Sequence, residues 1–138
     1  MSLSLRKLAL LSAMLLSNAA IASGVSLPAY EQFTLDNGTR VMLMEKHDVP
    51  LVSLHIRIAG GSLLDEPGKN GSLALLAEMM QKGAGSRDAS GFADAIDNVG
   101  GNLDIGNDRE SLQLSAQFMS ADTGLMVALA ADALLRPQ

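Results

Sequence analysis

Few side chains in this sequence can do chemistry, and their spacing narrows the choice further. There are two histidines, His47 and His55, and no cysteine. Without a thiol, thiol catalysis, thiolate zinc sites and disulfide frameworks all drop out. His47 and His55 would share a metal ion only if the chain doubled back in a favourable register, so both read as structural histidines. Asp65 and Glu66 are adjacent, and adjacent side chains diverge rather than share a proton. Beside Pro67 and Gly68 they read as turn chemistry. Glu78 and Lys82 stand at i and i+4, the favourable order for an ion pair on a helix, which accounts for Glu78 without a metal. Gly83-Ala84-Gly85 could suggest a phosphate-cradling loop, but no Walker lysine-serine pair follows it, and it reads as a helix stop.

Composition removes whole classes of function. Hydrophobic residues make up 48% of the 138 positions and charged residues 18%, with a net charge of −5. There is no dense charge block and no long Pro/Gly/Ser repeat, which excludes a disordered tail, a collagen-like chain and a coiled coil. Lys and Arg number 10 against 15 Asp and Glu, and they are scattered, so a nucleic-acid partner is not expected. Aromatic residues are 3% with no Trp, which leaves no stacking platform for bases or sugars. The acidity itself reads as solubility.

The first residues read as an address. Arg6 and Lys7 precede an apolar run, Leu8 to Leu16, that is too short to span a bilayer. Ala20-Ile21-Ala22 then offers the small-x-small pattern that signal peptidase accepts. The expectation is a secretory signal peptide over residues 1–22, a periplasmic or secreted bacterial protein, and no stable membrane span after cleavage. An uncleaved anchor is the alternative, because apolar residues continue toward Val25.

The elements that must position the polar groups read as one α+β unit over residues 33–138, after a lead-in at 23–32. Asp36-Asn37-Gly38 between apolar stretches is a hairpin signal. Leu51 to Ile58 alternates, with Val52, Leu54, Ile56 and Ile58 on one face. Gly71 to Lys82 is helical in pattern and apolar nearly all round, so it is expected to be buried on most sides. A second helix spans Ser90 to Val99, capped by Asp88 or Ser90. Leu103 to Ile105 reads as a short strand and Ser111 to Met119 as a longer one. Ser120 is placed to cap a last helix from Ala121 to Leu135. This order implies an antiparallel or mixed sheet with helices packed on one face.

A set of landmarks gives these elements a family likeness. They are Leu35-Asp36-Asn37-Gly38-Thr39-Arg40-Val41, the strand from Pro50, Gly60-Gly61-Ser62 with Asp65-Glu66 and Gly71, then Met79 and Lys82-Gly83. Gly100-Gly101 to Glu110 and Ala130 to Pro137 complete the set. In this order they resemble the N-terminal domain of the insulinase-like (pitrilysin-type, inverzincin) zinc metallopeptidases. The resemblance implies the first half of such a domain. Active members carry His-x-x-Glu-His on the first helix, where i and i+4 imidazoles hold zinc and the residue beside them is the general base. Aligned on Lys82-Gly83, those positions are Ala74, Ala77 and Glu78. No catalytic residue, metal ligand or cofactor is therefore expected from this chain, although zinc serves the active members.

The resemblance implies a non-catalytic homologue, and the signal-peptide pattern makes it an exported one. Its expected partners are an active sister peptidase, which it would support as a chamber subunit, and an unfolded peptide or small protein. The alternatives are a zinc metalloendopeptidase whose ligands come from outside this chain, and a non-functional truncated fragment.

Overall fold

The computed structural model of the chain describes residues 28–138, so the expected signal peptide and the start of the lead-in lie outside the described residues. The chain divides between Lys46 and His47 into two units.

In the first unit, β1 (Glu31–Thr34) pairs antiparallel with β2 (Arg40–Leu43), with Phe33 opposite Val41. Asn37 and Gly38 close the turn as their types require. The Asn37 side-chain oxygen accepts the Thr39 N–H at 3.0 Å, and the Leu35 N–H donates to the Thr39 carbonyl at 2.9 Å.

The second unit runs β3 (Leu51–Ala59), a 3-10 turn (Ser62–Leu64), α1 (Ser72–Met79), β4 (Gly83–Ala84), β5 (Arg87–Asp88), α2 (Ala89–Asp97), β6 (Asn102–Asn107), β7 (Ser111–Met119), a second 3-10 turn (Ser120–Asp122) and α3 (Thr123–Leu135). Its main sheet has the order β3-β7-β6 and is antiparallel throughout. Alternation along β7 decides which face is buried. Leu112, Leu114, Ala116 and Phe118 are buried, while Gln113 and Gln117 are exposed. The register sets Val52 opposite Phe118 and Ile56 opposite Leu114, and Ile105 opposite Leu114 on the other side. Met126, Leu129, Ala130 and Ala133 of α3 and Phe92 of α2 complete this core. Burying a side chain such as Phe118 contributes roughly 2–3 kcal/mol. The helices therefore pack on one face, and polar side chains line the other.

Several expectations change. The first helix is shorter than the span 71–82 and is not buried on most sides. Only Ala77 within α1 is buried, while Leu75, Leu76 and Met79 are 65%, 46% and 50% exposed. The reason is that α1 lies mainly against β6, along the line of Leu73, Ala77 and Met80, and leaves Leu75, Leu76 and Met79 half or more open among the described residues. Ile58, expected on the buried face, is 43% exposed at the end of β3. Residues after Gly83 do more than stop a helix, since they fold into the β4–β5 hairpin. Asp88 caps α2, accepting the Gly91 N–H at 2.8 Å. Ser120 does not cap the last helix with its side chain. Its carbonyl accepts the Thr123 hydroxyl at 2.8 Å instead, after a 3-10 turn.

The end of α3 is tied to the small hairpin by a charge that the sequence pattern hides. Asp132 is 6% exposed. It pairs with Arg136 one turn on and with the Arg87 guanidinium at 3.5 Å. Gly85 carries no side chain because a Cβ there would overlap the Asp132 carboxylate. The Gly85 N–H donates to the Arg136 carbonyl at 2.9 Å, and the Gln138 N–H to that of Gly83 at 3.0 Å. Asp132→Asn is expected to lower stability by about 1–2 kcal/mol. That is less than a fully buried pair would lose, because Arg136 is largely exposed and Arg87 partly so. The urea midpoint checks it.

Candidate functional site

Helix α1 begins where a distant carboxylate meets its free N–H groups. Asp65 accepts the N–H of Gly71 at 2.7 Å and of Leu73 at 3.1 Å. Satisfying the first donors of a helix with a negative side chain stabilises its N-terminus. Glu66 next to it pairs with Lys69 at 2.6 Å, and the Lys69 N–H donates to the Glu66 carbonyl. The adjacent acids thus diverge, as expected, but Asp65 does more than shape a turn. Ala74 and Glu78 are exposed on α1, and Ala77 is 2% exposed in the core. Among the described residues no ion pair joins Glu78 to Lys82. The helix ends at Met79, so Lys82 sits in the following turn, its N–H on the Met79 carbonyl, and not one helical turn above Glu78.

Two of the sequence landmarks meet as one junction. The chain at Gly60 to Leu63 runs along residues 108–110. The Gly60 N–H donates to Glu110 at 2.8 Å, that of Ser62 to Asp108 at 3.1 Å and that of Leu63 to Arg109 at 3.0 Å, all carbonyl acceptors. Gly61 sits between them, pressed on the backbone of Asp108, Arg109 and Glu110. After α1, Gln81 turns back to β6. Its side-chain amide donates to the Ile105 carbonyl at 2.9 Å and to that of Ala77 at 3.2 Å. Because the Asp108 N–H bonds Ser111, the even residues of β6 face β7, and Leu103, Ile105 and Asn107 turn their main chain outward. Gln81 therefore occupies one outward carbonyl of the β6 edge.

The polar face of the sheet carries a shallow concavity of about 380 Å³ lined by His55, Arg57, Asp104, Asp108, Gln113 and Ser115. Asp108 is its hub. It accepts the N–H groups of Glu110 and Ser111, both at 2.7 Å, the Ser111 hydroxyl at 3.0 Å and the Gln113 amide at 2.6 Å, and pairs with Arg57 at 3.3 Å. The Glu110 N–H is the main reason its carboxyl lies below the ordinary value of 3.8, with Ser111 and Arg57 adding to it and partial desolvation opposing it. A folded value below the unfolded one means that this contribution is complete above the ordinary value and is lost as pH falls below it and through the lowered folded value. The urea midpoint of the wild type should therefore fall on acidification from about pH 5 to about pH 2.5 more steeply than that of Asp108→Asn.

Comparison with known proteins places this arrangement. Residues 40–138 match the family model Peptidase_M16, described as Insulinase (Peptidase family M16). The chain belongs to that family. It is similar to the non-peptidase homolog YmxG of Helicobacter pylori, 27% identical over 79 residues, which cover 57% of this chain and 18% of the relative. It is also similar to an uncharacterized zinc protease YmxG of Bacillus subtilis, 26% identical over 102 residues, 74% of this chain and 25% of the relative. Among solved structures, a peptidase M16 inactive domain from Pseudomonas fluorescens superposes with a TM-score of 0.72 at 21% identity, covering 79% of this chain and 27% of that one. A protease from Helicobacter pylori superposes at 0.69 and 20%, covering 81% and 27%. The chain thus spans about a quarter or less of the curated relatives it matches.

For an M16 chain the test of the zinc positions is chemical. Zinc takes nitrogen, sulfur or oxygen donors. Ala74 and Ala77 present methyl groups, Glu78 one carboxylate, and no histidine follows His55. These residues do not fit the ion. Among the described residues no cluster of three or more His, Asp or Glu is placed to hold a metal. His55 lies on β3 and His47 before it, neither of them on α1. Asp65, Gln81 and Asp108 were not singled out for these roles by spacing. The one signal for Asp108 was its place beside the Arg-Glu landmark.

Proposed function

We propose that this protein is an exported, non-catalytic M16 homologue that forms chamber wall and peptide-contacting surface beside an active zinc peptidase in the bacterial cell envelope. The observation that carries the reading is the pair of methyl groups at Ala74 and Ala77, on a helix whose side-chain spacing would suit two ligands and a base. The similarity to a non-peptidase homolog and to an M16 inactive domain supports the loss of catalysis. The basic, apolar and small-x-small sequence of residues 1–22 supports export. Peptide contact rests on main-chain hydrogen bonding at a sheet edge, which needs no particular side chain. On β6 the outward groups of Leu103 and Asn107 flank the carbonyl that Gln81 holds, so a peptide strand would displace Gln81 to add there.

The test is affinity purification from the native host, with fractionation of the envelope. The expected result is co-purification with an M16 chain bearing an intact His-x-x-Glu-His helix, in the periplasmic or extracellular fraction. Recovery of the protein without any metallopeptidase, or from the cytoplasm, would contradict the reading.

A further inference from the structure

The end of α1 carries a contact that capping alone does not require. The last four carbonyls of a helix have no partner within it. Here the Leu76 carbonyl accepts the Met80 N–H at 2.9 Å, that of Glu78 the Gln81 N–H at 3.3 Å and that of Met79 the Lys82 N–H at 2.9 Å. The Ala77 carbonyl is met by the Gln81 side-chain amide at 3.2 Å. One N–H of that amide completes the cap. The other crosses to the Ile105 carbonyl on β6 at 2.9 Å, 24 residues away in sequence. Helix, turn and strand all belong to the second unit, and α1 packs against β6.

A side-chain amide is the same chemical group as a peptide link. A strand laid antiparallel along β6 would donate a main-chain N–H to the Ile105 carbonyl, with Leu103 and Asn107 as the neighbouring outward positions. The Gln81 amide makes that donation already. We propose, resting on the reading of β6 as a peptide-contacting edge, that Gln81 is a built-in competitor for that edge: it stands where one residue of an extended peptide would bond, and so sets how tightly the edge takes a peptide. A peptide that displaces Gln81 exchanges one amide donor for another at Ile105 and gains nothing there. Its affinity comes from the flanking positions. Gln81 can keep its bond to Ala77 when it lets go of Ile105, so the helix end stays capped and the side chain stays within reach of the strand. The amide is neutral, so the competition is insensitive to salt, unlike a charged guard such as lysine.

Peptide binding to the full chain tests this, with the fluorescence anisotropy of a labelled peptide of alternating valine and threonine as the probe. Q81M keeps the length and cannot donate. Q81E also cannot donate but stays polar, so one variant remains readable if the other disturbs the turn. Freed of its competitor, the edge is expected to bind the probe about two- to tenfold more tightly, the worth of one neutral hydrogen bond. In the variants the probe should slow hydrogen exchange at the outward amides of Leu103, Ile105 and Asn107, which places the binding on β6. A merely structural Gln81 would lower the urea midpoint on substitution and leave the affinity unchanged. Equal affinity in the wild type and both variants, with those amides protected, would therefore overturn the competition and leave the reading of the edge intact. Weaker binding by both variants would overturn it as well, since Gln81 would then be a peptide contact. Absence of binding by all three would contradict the reading of the edge itself, and the competition with it.

Discussion

Replacing Gly61 with alanine is expected to destabilise the protein by about 3 kcal/mol or more, the range of a severe overpacking defect. The backbone at Gly61 is extended, with φ −85° and ψ −157°, so conformational freedom is not the issue. Space is. An added Cβ would overlap the Glu110 nitrogen, the Arg109 carbonyl carbon and the Asp108 oxygen. These are main-chain atoms, held by the three hydrogen bonds from residues 60, 62 and 63, and no rotamer change can move them aside. Relief would require parting the junction, which carries the end of β3 and the turn into β7. Asp108 would lose its geometry with it, since its carboxylate is bonded to the N–H groups of Glu110 and Ser111. Gly124→Ala is the control. No heavy atom lies within 4 Å of a Cβ there, and the helical site should gain up to ~1 kcal/mol. Urea unfolding of the two variants separates close approach from a generic effect of losing glycine.

The second large effect concerns the family's catalytic positions. Returning glutamate to position 77 is expected to cost about 3–5 kcal/mol, because the side chain would enter a site that is 2% exposed and packed with Met80 against the core. By contrast, A74H and E78H change exposed positions on the same helix and are expected to alter stability by less than about 1 kcal/mol. The three motif positions therefore differ. On the alignment with the family motif, the two exposed positions have room for histidine, while Ala77, aligned with the general base, is packed in the core. Denaturant titration of A77E beside the A74H/E78H double variant checks this. Equal stability of the two would show that the core does not depend on the methyl group of Ala77.

Much of the architecture was legible because it rests on local periodicity. The alternation of Ser111 to Met119 marks β7 to the residue, and Asp88 three positions before Gly91 marks the α2 cap. Asn37-Gly38 marks the first hairpin for the same local reason. The features that escaped are those whose partners are distant in sequence. Asp65 reaches Gly71 and Leu73 across an intervening turn, Gln81 reaches Ile105, and Arg87 reaches Asp132. An acidic residue in a helix reads as exposed, and only the approach of β4 and β5 makes Asp132 an interior charge. The apolar run of α1 misled in the opposite direction. Its composition suggests burial all round, but packing against β6 uses mainly the line of Leu73, Ala77 and Met80. The placement of the family's metal positions at Ala74, Ala77 and Glu78 rests on the resemblance, through the offset from Lys82-Gly83.

Aligned with the family motif, this M16 chain carries a methyl group, Ala74, and a lone carboxylate, Glu78, at the two positions where imidazole would be needed to hold zinc. Equilibrium dialysis of the full chain against Zn²⁺, with metal analysis of both chambers and A74H/E78H as the comparison, tests it most directly. No saturable, one-per-chain zinc is expected in the wild type, and a saturable gain in the double variant, whose i,i+4 imidazoles share one helix face. One chelator-reversible zinc per wild-type chain would contradict it.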